Sequence, residues 1–346
     1  MLVVYLLAAA ATFSLSHARS EGWNATWTKY QKTKPAGLIL VAVNMYVESI
    51  DRIDSLEGLI QMTVIFRQEW SDQSLHHHVP THYVPQYEIV DRHDIWVPDT
   101  YFVNEFDSYA HSILEDNSLV RVDSYGKILY SRKISLTLRC PMELSGFPFD
   151  TQVCKLRIGS FSHIRDSIDY RWNSTQAVEV NQDIPIPEFE LREHETNQCH
   201  ARTPTGEYSC IQVEFTLKRL WRHYLLKVFV PLTMLVVLAW LSFWLRQSSV
   251  RITILMFVLS LAVIGVGSLN NTLPHTNYAK MIDVYSGVAL SFIFAAIVEF
   301  VIVSRRVPDD LEKDDIEDKI DVTARVVYPL CFVGFLLVYS LSALLR

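Results

Sequence analysis

The chain has 346 residues, half of them hydrophobic, with 31 basic and 38 acidic side chains and a formal charge of −7. One hydrophobic core rarely organises more than about 250–300 residues, so the length points to two domains. The acidic balance argues against a nucleic-acid partner, and the apolar residues pile up after residue 222.

The chain begins with the apolar run MLVVYLLAAAATFSLSHA, which lacks a basic start but otherwise reads as a signal peptide over residues 1–20. A buried first helix is the competing reading. Secretion places the following segment in an oxidising compartment, where disulfides persist. The sequons at Asn24 and Asn173 fit that placement. From about residue 36 to 218, the runs GLILVAVNMYV, LIQMTVIFRQEW, KILYSRKISLTLRC, TQVCKLRIGSF and CIQVEFTLKRL alternate apolar with polar and read as strands. SYGK, PTGE and ELSGFP are turns between them. Such short strands without a helical period predict an extracellular all-β sandwich over residues 21–221.

Cysteines in this segment fall into two local pairs, Cys140 with Cys154 and Cys199 with Cys210. Four cysteines allow three pairings, and two separate short loops favour nearest neighbours. Neither pair has the spacing of a structural zinc site. His76, His77, His78 and His82 in HHHVPTH are metal candidates, against the commoner reading of a solvated loop. No cofactor is expected. No Ser/His/Asp order, zinc triad or phosphate loop stands out, so no enzyme is expected.

After Arg222 four apolar runs follow, at 225–245, 252–269, 281–303 and 326–345. Each approximates the ~20 residues that cross ~30 Å of hydrocarbon. They predict an all-α four-helix transmembrane domain over residues 222–346, with a short cytoplasmic link at 304–325. Four spans put both ends of the block on one side, the outside. Arg246, Arg251, Arg305 and Arg306 sit where a cytoplasmic side wants positive charge. Cys331, in the last run, is read as a packing residue.

The stretch CPMELSGFPFDTQVC, taken with DIWVPDTYFVNE, FTLKRLWRHYLLKVFVPLTML, LPHTNYAKMIDVY and KIDVTARVVYPL in this order, resembles the Cys-loop receptors. These are pentameric ligand-gated ion channels. The texture is nearest to glycine and type-A GABA receptors. The resemblance implies a plasma-membrane channel subunit with a small-molecule ligand, a permeant ion, lipid and four further, identical subunits as partners. A subunit that binds ligand or assists assembly without conducting as a homomer is the alternative.

Several roles follow from the resemblance. The loop closed by Cys140 and Cys154 should present Phe147, Pro148 and Phe149 to the link between the second and third spans, Asn271 to Tyr278, including Pro274. Arg219 should stand at the same junction, with Asp150 as its candidate partner. Ligand should sit between subunits, against Tyr101, Ser160, Phe161, Thr205 and Tyr208 on one side and Ile65, Arg67 and Ser131 on the other. Rings attract an amine, and an arginine fork reads a carboxylate. Two positions depart from the family pattern: Gly159 stands where amino-acid receptors carry an acid, and Ile65 where they carry an aromatic. An amphiphile, an acid or an amine held by rings alone all stay open.

The second span should line the pore. Counting back from Leu273-Pro274 without gaps puts Thr253, Phe257, Ser260, Ile264 and Gly267 on the lumen. A one-residue slip gives Ile252, Met256, Leu259, Val263 and Val266. Either set makes a hydrophobic constriction. The inner mouth shows Arg251 and no acid, which leans toward anions, although the family's anion-type proline-alanine pair is absent.

Overall fold

Alternation of buried and outward side chains builds the N-terminal half. The computed structural model describes residues 30–76, 87–181, 183–184, 186, 188–245, 248–306 and 319–345. The signal segment, Asn24, His77, His78, His82, Arg246 and most of the last link lie outside the described residues. In β1 (Ile39–Asp54), Ile39, Val41, Val43, Met45 and Val47 are buried while their neighbours are not. That period of two is what a sheet with one face on a core requires.

The following strands are β2 (Leu59–Ser71), β3 (Tyr87–Ile89), β4 (Thr100–Phe102), β5 (Glu105–Ala110), β6 (Ser118–Asp123) and β7 (Lys127–Arg139). After these come β8 (Thr151–Ser160), β9 (Ile168–Trp172), β10 (Val178–Val180) and β11 (Phe189–Gln198). A short ribbon, β12 (Ala201–Thr203) and β13 (Gly206–Tyr208), precedes β14 (Cys210–Arg219). An eight-stranded sheet runs β10-β1-β2-β7-β6-β3, with β5 on β7 and β9 on β1; a second sheet runs β11-β14-β8-β4. Their inner faces share one core that includes Met45, Trp70, Leu156, Tyr170, Val213 and Phe215. The β6–β7 turn needs Gly126: its φ is +76°, and a Cβ there would lie 2.3 Å from the Asp72 carbonyl oxygen.

Both disulfides join nearest neighbours, with Cα separations of 5.1 Å for Cys140–Cys154 and 4.8 Å for Cys199–Cys210. Cys140 follows β7 of the large sheet and Cys154 lies on β8 of the small one. The first disulfide therefore ties the two sheets together.

Four helices, long and apolar enough to cross a membrane, follow the sandwich: α1 (Arg222–Trp244), α2 (Ser248–Thr272), α3 (Met281–Arg306) and α4 (Lys319–Leu344). Each extends past its expected span at one end or both, because a helix continues through polar flanking residues that a hydropathy window discards. Within α1 a π-helical turn, Leu225–Phe229, precedes the α-helical part. Pro231, just after it, has no N–H to offer the Lys227 carbonyl; the Phe229 carbonyl, for its part, accepts from Thr233 Oγ1 at 2.6 Å and Tyr285 Oη at 3.2 Å. A second core, separate from that of the sandwich, packs Val236 and Ala239 of α1, Leu255 and Ala262 of α2, and Tyr285 and Ala289 of α3. The outermost helix, α4, buries Phe332 and Tyr339 and leaves Leu330, Leu337, Val338 and Leu341 exposed. Cys331 is an exposed free thiol on this helix.

Candidate functional site

The outer face of the large sheet carries one group of the expected ligand residues. In register, Arg67 on β2 stands opposite Asn44 on β1 and Ser131 on β7, and Ile65 shares that face one pleat along. Arg67, Ile65 and Ser131 are all half-buried. Arg67 Nη1 donates to Asn44 Oδ1 at 2.8 Å, a neutral partner. Nearby cations are instead matched with acids: Lys127 with Glu69 at 2.8 Å, Lys133 with Glu48 at 2.7 Å, Arg132 with Asp116 at 3.5 Å.

The second group belongs to the small sheet. Tyr101 on β4 and Phe161 after β8 meet edge to face, centroids 5.5 Å apart. Tyr208 closes β13, its hydroxyl 3.1 Å from Thr205 Oγ1. The β12–β13 ribbon folds onto the segment after Phe161. There Arg165 Nη1 donates to Glu207 Oε1 at 2.8 Å, and Gly206, at φ +147°, leaves room for Ile164 where a Cβ would approach to 2.7 Å.

Asp99 was not among the expected residues, yet it fixes this group. Burial alone raises its pKa, but hydrogen bonds from Ser162 and Ser160 hold the carboxyl at about 2. Ser160 Oγ, Ser162 N and Ser162 Oγ donate to it at 2.7, 2.7 and 2.6 Å. The expectation that the Ser160 side chain faces ligand is corrected: it is buried, and its hydroxyl secures the bend that presents Phe161. The signal was the Asp two residues before Tyr101 in VPDTYF. The two groups lie on different sheets. Among the described residues no hydrogen bond, ion pair or ring contact joins them. 

Asn173 accepts from Thr175 N at 3.1 Å and Thr175 Oγ1 at 2.9 Å. His76 lies with its ring 6.3 Å from Tyr125. Among the described residues no group of three metal-binding side chains occurs.

At the junction, Arg219 ends β14 with its side chain fully buried. Its Nε donates to Asp150 Oδ1 at 2.8 Å and its Nη2 to Asp150 Oδ2 at 3.1 Å, a bidentate fork. Nη2 also reaches Ser55 Oγ in the β1–β2 turn at 3.1 Å. The guanidinium stacks on Phe147 and Phe189, 4.7 and 4.4 Å from their centroids. The loop's aromatics diverge: Phe147 packs on Tyr224, while Phe149 lies 5.8 Å from Trp221 and 6.4 Å from Tyr339.

The loop's main chain meets the start of α3. Met281 N donates to the Ser145 carbonyl at 3.1 Å and Ile282 N to the Phe147 carbonyl at 3.2 Å. Tyr278 Oη accepts from Leu144 N at 3.0 Å. The first N–H groups of a helix lack internal partners, and here the loop supplies them. Within the link, the Pro274 carbonyl accepts from Lys280 Nζ at 3.0 Å. The loop grips the α3 end of the link, because that is where unsatisfied N–H groups are.

Along α2 the residues Arg251, Leu255, Val258, Ala262 and Leu269 are buried against the bundle. Thr253, Phe257, Ser260, Ile264 and Gly267 are exposed, and at about 100° per residue they occupy the opposite side of the helix. Of the slipped set, Ile252, Leu259 and Val266 are half-buried on the flank. Arg251 requires a correction. It does not look into the lumen: it turns into the bundle, paired with Glu299 of α3 and with Asp321 of α4 at 3.0 Å, its guanidinium 5.3 Å from Phe243 and 5.5 Å from Phe300. Buried there, the guanidinium would be an uncompensated charge without these two carboxylates.

Residues 24–221 match the ligand-binding domain of neurotransmitter-gated ion channels, and residues 228–313 match the transmembrane region of the same channels. Among curated proteins, a glutamate-gated chloride channel of Drosophila melanogaster is 34% identical over 270 residues, covering 78% of this chain and 59% of that protein. A glutamate-gated chloride channel subunit beta of Haemonchus contortus is 33% identical over 278 residues, covering 78% of this chain and 64% of that protein. The chain thus spans 59% and 64% of the length of these two relatives.

Proposed function

The chain belongs to the neurotransmitter-gated ion-channel family, and on that premise we propose that it is one subunit of a pentameric ligand-gated channel of the plasma membrane. Five copies bring the Arg67 half-site of one subunit against the Tyr101 half-site of the next. A small-molecule ligand bound between them opens a pore lined by Thr253, Phe257, Ser260, Ile264 and Gly267. The observation that carries this reading is the seating of the Cys140–Cys154 loop on the first N–H groups of α3. A loop tied to both sheets and bonded to the helix beside the pore helix couples the two domains mechanically.

The permeant ion is an anion in this reading. No acidic residue occurs anywhere along α2, and the relatives are chloride channels by name. With Arg251 paired inside the bundle, the lean toward anions rests on the absence of acids rather than on a ring of arginines. The exposed apolar face of α4 is in contact with lipid. Phe257 favours the second reading, a subunit that does not conduct alone, since its ring is 64% exposed on the pore face and five such rings would form a tight hydrophobic barrier.

Expression of the chain alone in oocytes, with amino acids, amines, organic acids, protons and amphiphiles applied, tests the reading. The expected result is gated current whose reversal potential follows chloride. Surface-expressed pentamers silent to the whole panel would favour the non-conducting subunit.

A further inference from the structure

The charges around the two half-sites are unequally spent. Each acid flanking the aromatic cluster in the chain is committed. Asp99, two residues before Tyr101, takes its hydrogen bonds from Ser160 and Ser162, with His163 Nδ1 3.2 Å away. Glu207, next to Tyr208, is held by Arg165. The position two residues before Phe161 is Gly159. A Cβ there would lie 3.0 Å from the Ser209 carbonyl oxygen and 3.9 Å from Tyr101 Cε1, so a side chain at this point would enter the site itself. Among the described residues, an ammonium at these rings meets no carboxylate that is free of other partners.

The opposite half-site has the reverse imbalance. On β1, β2 and β7, Arg52, Lys127, Lys133 and Arg132 each pair with a carboxylate. Arg139, at the far end of β7, stacks on Phe106 at 4.9 Å. Arg67 alone in this set has a neutral amide as its partner, and it is half-buried. A partly desolvated guanidinium without a counter-ion is completed by an oxyanion, and it repels a second cation brought close to it.

We propose that the ligand of this interface is a small monocarboxylic acid with no ammonium group, its carboxylate on Arg67 and its apolar part between Tyr101, Phe161 and Tyr208. This rests on the interface reading above. It also departs from glutamate, the ligand in the relatives' names: one cation matches one carboxylate, and nothing matches the amine. The rings then serve as apolar walls, a role that does not require them to offset a charge.

The test uses the full chain as purified pentamer in nanodiscs, with binding read by titration calorimetry and by thermal shift rather than by current. Matched pairs differ only in the amine: butyrate with γ-aminobutyrate, propionate with β-alanine, acetate with glycine. In each pair the acid without the amine should bind at least about tenfold more tightly, since the ammonium loses its hydration without gaining a counter-ion. Arg67→Gln should abolish that binding, and Arg67→Lys should weaken it. The unfolding temperature of each unliganded variant should stay near the wild-type value, which separates lost binding from lost folding. Tighter binding of the amino-acid member in the wild-type protein overturns the proposal, even if neither variant folds. So does acid binding indifferent to Arg67→Gln, and so does failure of every acid to bind an intact pentamer. Acid binding without current would sink the channel reading and leave this one standing; current gated by an amino acid would do the opposite.

Discussion

Arg219, at the outer end of the helical block, and Arg251, at its inner end, are both buried, both gripped by carboxylates and both stacked between two phenyl rings. Their partners differ. Arg219 meets Asp150 in a bidentate fork within the lower end of the sandwich, with Glu188 farther off, 3.9 Å from Nη1. Arg251 draws on two acids, Glu299 from α3 and Asp321 from α4, and so gathers three helices at once. The outer pair stiffens a joint between two domains. The inner cluster holds the inner end of α2 against its own bundle.

The comparison breaks most visibly at Asp150. Asp150→Ala strands a buried guanidinium and should cost about 3–5 kcal/mol, read as a fall in unfolding temperature and in surface expression. Wild-type stability in this variant would mean that Arg219 finds another partner. At the inner end, Arg251→Gln should cost a comparable amount, about 3 kcal/mol, because two acids are left together. Asp321→Asn, which leaves one cation and one anion, should cost less than about 1 kcal/mol. The reversal potential should not move in Asp321→Asn. A folded Arg251→Gln channel with strongly altered anion selectivity would place that arginine in the lumen after all.

Replacing Cys140 and Cys154 together by serine should cost about 3 kcal/mol by the loop-closure argument. If the loop's use is coupling, the loss of gated current should exceed what lower surface expression explains. Asp99 gives a smaller, pH-dependent effect. Its folded pKa of about 2 lies below the ordinary ~3.9 of an aspartate. Its stabilising contribution is therefore present above about pH 4 and lost as pH falls through about 2. Acid unfolding should show this window in the wild-type protein and lack it in Asp99→Asn. The smallest effect is expected for Glu207→Gln: both members of that pair are exposed, so no measurable change in unfolding temperature should follow.

Much of the architecture was legible because it rests on periods. Burial alternates along β1 as the sequence does, and the stripe from Thr253 to Gly267 emerges on the side of α2 away from its bundle. The nearest-neighbour disulfides and the Arg219–Asp150 pair were legible from order and resemblance. Arg251 was not, because its two partners lie 48 and 70 residues away on other helices, and a charge at a span's end looks the same in sequence whether it faces lumen or core. Ser160 was misread because an alternating strand tells in from out only up to its last residue, and Asp99, just before the neighbouring strand β4, decides the rest. The π-helical turn left one trace, Pro231, which a hydropathy window does not register.

The disulfide between the two sheets has one more consequence. A loop with one foot on β7 and the other on β8 behaves like a differential gear. When both sheets tilt together it is carried along unchanged, and when they slide past one another it must rotate. Through the carbonyls of Ser145 and Phe147, α3 then receives the relative motion of the two sheets rather than the position of either. Those contacts are main-chain bonds, so the transmission would tolerate wide changes in side chains along its path.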